Sequence, residues 1–178
     1  VPTVQSSIAC KKEAMGASPE PALIVFAWGN ESRGDDGIGP AFAGYLRELG
    51  DPRIEIIEDF QLNIEHVTDF RGQTPLLFVD ASVAIERGFE VEQIAPSKDG
   101  NFSTHAISPQ ALLNVHQQTT SEAHPPAFLL HIAAQRFTLG EPLGSTALEA
   151  LDEAHEFFAD LVSSPATTWT KRLAAAAA

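Results

Sequence analysis

Two carboxylates and one imidazole occupy positions from which a parallel sheet does its chemistry. Asp36 lies in a glycine-bounded turn, Gly29-Asn30-Glu31-Ser32-Arg33-Gly34-Asp35-Asp36-Gly37-Ile38-Gly39-Pro40, that follows an apolar run. Asp80 closes another apolar run, and His105 sits in a polar stretch ahead of Ser108-Pro109-Gln110. In an open α/β sheet the connections leaving the carboxyl ends of the strands share one crevice, so these side chains can converge. Together they make an O,O,N ligand set with room for further ligands. Such a set suits a divalent ion such as nickel or zinc better than copper(I) or an iron–sulfur cluster, which want sulfur. The turn holds one arginine against Glu31, Asp35 and Asp36, whereas a phosphate-cradling turn favours Gly, Lys and Ser or Thr. Plainer roles stand beside this one. Asp35 reads first as a cap or turn residue for the following helix. Asp36 could be a first-turn acid facing the helix dipole, and a loop histidine such as His105 is more often solvated than ligating. By residue type alone the chemistry stays undecided.

The elements that must position these groups can be read in order. Ala22 to Trp28 is continuously apolar and of strand length, which implies burial on both faces. Pro40 suits the first turn of a helix carrying Phe42, Leu46 and Leu49, which Gly50-Asp51-Pro52 ends. Arg53 to Glu58 alternates like a half-exposed edge strand. Leu62 to Phe70 reads as a short helix and Pro75 to Asp80 as the third strand. Phe89 to Ile94 alternates strictly. The connection before it is too short for a crossover helix, so it is expected to run antiparallel to the third strand. Ser108 and Pro109 open a helix to about Gln118, and Ala127 to Ala133 is the last core strand. Ser145 is expected to cap a final helix to about Val162, with Leu148, Leu151, Ala154, His155, Phe158 and Leu161 on one face. The pattern implies an α/β three-layer sandwich: a mostly parallel five-stranded sheet with one antiparallel strand and helices on both faces. Of the other histidines, His66 and His155 are expected on helix surfaces, and His116 late in a helix where a cation is favourable. His124 falls in a Pro-rich loop, and His131 reads as a satisfied core residue within a strand.

Composition narrows the field. The chain has 178 residues, which fits one domain, here 22–164. Residues 1–21 read as a flexible leader, with Met15 as a possible native start, and 165–178 as a tail partly left by cloning. Net charge is −13, which argues against nucleic acid and anionic membrane partners, because both reward Lys and Arg clusters. No apolar run approaches the roughly 18 residues that span a bilayer. The single cysteine, Cys10, excludes an intrachain disulfide framework and any CxxC metal site. A cytoplasmic location is the expectation.

Three motifs carry a resemblance to a known family. Gly29-Asn30 followed by Gly34-Asp35-Asp36-Gly37-Ile38-Gly39 resembles the signature of the hydrogenase maturation endopeptidases. Phe78-Val79-Asp80-Ala81 and Ser103-Thr104-His105 resemble that family's second and third motifs. Their order and spacing agree, with 44 residues from Asp36 to Asp80 and 25 from Asp80 to His105, and the likeness extends over about Leu23 to Leu161. The resemblance implies an endopeptidase that removes the C-terminal extension of the [NiFe] hydrogenase large-subunit precursor after nickel insertion. It implies that Asp36, Asp80 and His105 meet nickel supplied by that precursor, with no organic cofactor. Independently of the resemblance, a monomer is the expectation. Hydrolysis of the metallo or aspartic type would follow, with Asp35 as a candidate proton carrier. Glu58-Asp59-Phe60-Gln61-Leu62, Ile64-Glu65-His66, Thr104-His105-Ala106 and Arg136-Phe137 with Leu139-Gly140-Glu141-Pro142 resemble the members that serve soluble NAD-reducing hydrogenases. The chain departs from the common pattern in having Ala27-Trp28 before Gly29, Asp36 where many members have Glu, and Ala133-Ala134-Gln135-Arg136 after the last core strand.

Rival readings remain at this level. A non-catalytic nickel-binding maturation partner would share the ligand set. A receiver-like phosphoacceptor also places acids after strand one and at the end of strand three, but it needs a lysine after the last core strand, where only Arg136 stands. A dinucleotide site lacks Gly-x-Gly-x-x-Gly after the first strand.

Overall fold

The computed structural model describes residues 20–98 and 107–178. Strands β1 (Leu23–Trp28), β2 (Ile54–Asp59), β3 (Leu76–Ser82), β4 (Phe89–Ile94) and β5 (Ala127–Ala133) form one sheet in the order β2-β1-β3-β5-β4. β1, β2, β3 and β5 are parallel and β4 is antiparallel. β4 therefore has the expected direction, but it pairs with β5 rather than lying beside β3. Its connection arches over the end of β5: the Ala133 N–H donates to the Gly88 carbonyl at 2.9 Å and the Ala134 N–H to the Ser82 carbonyl at 2.9 Å.

The alternating side chains of the strands build two cores. Leu23, Val25, Leu77 and Phe128 face α1 (Ile38–Leu49), α3 (Ser145–Ser163) and α4 (Trp169–Ala176). Ile24, Phe26, Leu76, Phe78 and Leu129 face α2 (Pro109–Thr120) and a 3-10 helix at Ile64–Asp69. This is the three-layer sandwich the apolar runs require, since a parallel strand must be covered on both sides. Ser108 caps α2 as expected, accepting from the Ala111 N–H at 3.1 Å.

Local windings differ from expectation in three places. The 62–70 segment is a 3-10 helix whose cap is reciprocal: the Asn63 side chain accepts from the Glu65 N–H, and the His66 ring accepts from the Asn63 N–H at 3.0 Å. That winding turns His66 inward and leaves Ile64 exposed. The N-cap of α3 is Gly144 rather than Ser145, because the Gly144 carbonyl already accepts from the Leu148 N–H at 3.0 Å. The buried stripe of α3 is accordingly rotated. Ala147 and Ala150 join Leu151, Ala154, Phe158 and Leu161 in the core, while Leu148 is exposed. Third, the segment read as a peripheral tail is part of the core. Trp169 and Leu173 of α4 are fully buried. The Arg53 guanidinium lies 4.6 Å from the Trp169 ring centroid and also donates to the Val162 carbonyl at 2.8 Å. A sequence pattern of eight residues ending in alanines gives little sign of this, because two large side chains supply the burial.

Candidate functional site

The turn after β1 is shaped by close backbone approach. Gly29 has φ +142°, and a Cβ there would stand 1.9 Å from the Asp36 carbonyl oxygen. Only a glycine lets the chain leave β1 and fold back so that residues 34–37, a short 3-10 turn, lie over the strand end. Gly34, at φ +59°, brings the same turn against the Arg136 carbonyl, which a Cβ would meet at 2.3 Å.

Asp35 latches this turn to the loop that follows β5. Its side chain is fully buried. Oδ2 accepts from the N–H groups of Gln135 at 2.7 Å and Arg136 at 2.8 Å, and Oδ1 accepts from the Gly144 N–H at 2.7 Å. Backbone bonds run alongside: the Asp35 N–H donates to the Arg136 carbonyl at 2.7 Å, Gly34 to Glu141 at 2.9 Å, and Gly140 to Ser32 at 2.7 Å. Burial raises the Asp35 carboxyl, but the three N–H donors and the Arg136 charge outweigh it and hold it below the ordinary carboxylate range. Both oxygens are engaged with backbone, so this side chain orders two loops. It does not cap α1.

The next residue is free for other work. Asp36 is partly exposed and close enough to Asp80 for its charge to be felt there. Asp80 is the first residue of β3 that is not fully buried. Burial pushes its carboxyl above the ordinary range; the His131 charge and the Ala81 N–H oppose the rise, and the Asp36 charge adds to it. Two carboxylates held near one another at a sheet edge repel unless a proton or a cation lies between them. Among the described residues no group of three Asp, Glu, His or Cys side chains forms a ready metal cage. Two carboxylates so placed carry the oxygen donors that a hard divalent ion takes. His105, the third expected donor, lies outside the described residues, as do Ser103, Thr104 and Cys10.

His131 was expected as a satisfied core residue and stands instead at this edge. It is in register with Asp80 on the neighbouring strand, and its Nε2 lies 3.0 Å from Glu92 Oε2. One signal in the sequence points to it. Pro75 and Pro126 each precede an apolar strand, and Asp80 and His131 are each fifth after their proline. On the other flank Asp59 ends β2 beside Trp28, with His66 Nε2 3.4 Å from Asp59 Oδ2. His66 is therefore buried rather than on a helix surface. His155 is likewise part of the packing, its ring stacked on Tyr45 at 3.9 Å. His116 is buried against Phe70, 5.1 Å between centroids, and burial lowers its pKa, which disfavours the helix-end cation expected there. His124 lies in its loop, with Nδ1 2.8 Å from the Pro125 carbonyl.

No protein-family model and no curated protein matches the sequence. Solved structures do match the fold. A [NiFe] hydrogenase maturation protease, HycI, from Thermococcus kodakarensis superposes with a TM-score of 0.64 at 22% identity, over 83% of this chain and 96% of that one. The hydrogenase maturating endopeptidase HybD from Escherichia coli gives 0.59 at 19% identity, over 79% and 92%. An Escherichia coli endopeptidase, HycI, gives 0.55 at 20% identity, over 75% and 86%. The chain has the α/β fold of these proteases. A receiver-like domain is a different arrangement, with an all-parallel sheet ordered 2-1-3-4-5; here the edge strand is antiparallel and β5 lies inside it.

Proposed function

We propose that this chain is a hydrogenase maturation endopeptidase, which removes the C-terminal extension of a [NiFe] hydrogenase large-subunit precursor once nickel is in place. The observation that carries the reading is the approach of Asp36 and Asp80 at the carboxyl edge of a sheet with this strand order. The fold shared with the maturation proteases supports it, and so do the three motifs in sequence. Nickel arrives with the precursor and is therefore part of the substrate. Asp36 and Asp80 offer it carboxylate oxygens, and His105 is the nitrogen donor of the set. A bound divalent ion polarises a nearby carbonyl or water. The chain's own residues recognise and hold: Asp35 fixes the backbone from which Asp36 projects by tying it to the loop 134–144. Asp35 is not assigned a proton, since both its oxygens are taken. The soluble NAD-reducing hydrogenases supply the favoured substrate, on the Asp59 to His66 and Arg136 to Pro142 segments, and the cytoplasm is the matching compartment.

The test is precursor mass before and after incubation with the protein, with nickel-loaded and nickel-free precursor in parallel. Cleavage of the loaded form alone is expected, and its loss in Asp80→Asn. Equal cleavage of both forms would refute metal recognition, and no cleavage of either would favour a binding partner without peptidase activity.

A further inference from the structure

We propose that Phe60, Ile64 and Leu139 form an apolar rim on which the precursor docks, on either side of Asp36 and Asp80. Among the described residues four large apolar side chains are more than half exposed: Phe60, Ile64, Val83 and Leu139. Each lies in a connection leaving the carboxyl end of a parallel strand, Phe60 and Ile64 after β2, Val83 after β3 and Leu139 after β5. Exposed apolar residues scattered singly need no explanation, but four at one edge mark an interaction surface. The strand order β2-β1-β3-β5 sets Phe60 and Ile64 on one flank and Leu139 on the other. The carboxylates come from the two strands between. The flanks are three strand spacings apart, about 14 Å, which roughly four residues of extended polypeptide would span.

Both flanks are held in the conformation that exposes these side chains. The Asp59 carboxylate accepts from the Phe60 N–H at 2.6 Å and from Asn63 Nδ2 at 3.1 Å, and the Asn63 side chain accepts from the Glu65 N–H at 3.0 Å. On the other flank the Gly140 N–H donates to the Ser32 carbonyl at 2.7 Å and Arg33 Nε to the Phe137 carbonyl at 3.3 Å. These bonds brace the loop that carries Leu139 against the turn after β1. Charge selects the occupant. Glu31, Asp59 and Glu65 are exposed on this edge, whereas Arg33 and Arg136 are tied up internally, Arg136 by Glu141. A second copy of a chain with net charge −13 would bring a like-charged edge. The fitting partner is a protein segment with apolar side chains flanked by lysine or arginine. The inference rests on the protease reading and deepens it: the segment belongs to the precursor, beside the bond to be cut.

Single-turnover cleavage of nickel-loaded precursor is followed at rising concentrations of the full chain, which yields a half-saturating concentration and a limiting rate. Wild type, Phe60→Ser, Ile64→Ser, Leu139→Ser and Leu49→Ser are compared. All four positions are at the surface, so little change in urea midpoint is expected. Each rim variant should raise the half-saturating concentration about tenfold, as loss of an apolar anchor does at an interface. Added salt should raise it in wild type by screening. Leu49, at the far end of α1, is the control, and its variant should match wild type. Wild type that leaves nickel-loaded precursor uncut overturns the protease reading, and this inference with it. Wild type that cuts, with all three rim variants at its half-saturating concentration, overturns the rim alone. So does a lower limiting rate at unchanged half-saturation, a Leu49→Ser defect equal to theirs, or indifference to salt. Sedimentation showing wild type dimeric and Phe60→Ser monomeric would give the rim to a second copy and overturn the inference.

Discussion

Asp35→Asn isolates the latch from everything around it, because it changes one atom and the charge. The two oxygens of Asp35 serve unequal loads: Oδ2 takes two N–H donors and Oδ1 takes one. The best amide orientation puts its oxygen at the Oδ2 position. Gln135 and Arg136 keep their acceptor, but their bonds drop from charged to neutral, a loss of about 1 kcal/mol each. The amide NH2 then faces the Gly144 N–H across 2.7 Å in a buried position. A buried donor left without an acceptor costs about 1–3 kcal/mol. Relief of carboxylate desolvation returns part of this, so the net expectation is a loss of about 2–3 kcal/mol. Urea unfolding read by circular dichroism measures it, with an unchanged slope showing that the same surface unfolds. Amide exchange at Gly144 should quicken more than at Gln135 or Arg136. A variant within about 0.5 kcal/mol of wild type, the usual range for surface substitutions, with Gly144 exchange unchanged, would refute the latch.

Two other outcomes follow from the same structure. Asp80 has a raised pKa, so the folded protein retains a proton that the unfolded chain has already released. Stability therefore falls as pH rises from about 3.9, the ordinary aspartate value, through the raised one. Asp80→Asn should melt higher than wild type at neutral pH, and the gain should vanish in acid, where both forms are uncharged; a lower melting temperature at pH 7 would contradict this. Leu173→Ala removes a fully buried side chain of α4 and should cost about 2–5 kcal/mol, and a cost under about 1 kcal/mol would mean that α4 does not share the core.

Most of the architecture is legible because parallel strands with both faces covered leave unbroken apolar runs. β1, β3 and β5 announce themselves this way, and the short link before β4 gives its direction. The neighbour of β4 is not legible, since residues 83–88 could turn back beside β3 or arch over a strand that comes later in the chain. The positions of Asp36 and Asp80 near the carboxyl edge of the sheet are legible because each closes or follows an apolar run. The role of Asp35 was hidden because its partners lie about a hundred positions away and are backbone N–H groups, which no side-chain pattern encodes. His131 was masked by its apolar neighbours, and the register that lifts it to the edge becomes visible only when the two prolines are aligned. His66 was misplaced because a 3-10 turn shifts the inward face relative to an α-helix.

The bonds from Asp35 to Gln135, Arg136 and Gly144 join positions 100 to 109 apart in the chain. Contacts of such range are slow to form, because the loop between them must close before they return any stabilisation. They also need β5 already paired, since their donors lie in the loop that leaves it. During refolding the strands can therefore be in place while Asp36 is not yet aimed. Protection of the Gly144 amide should therefore lag behind the recovery of secondary structure, and a fully folded molecule will be one that has already closed this long loop.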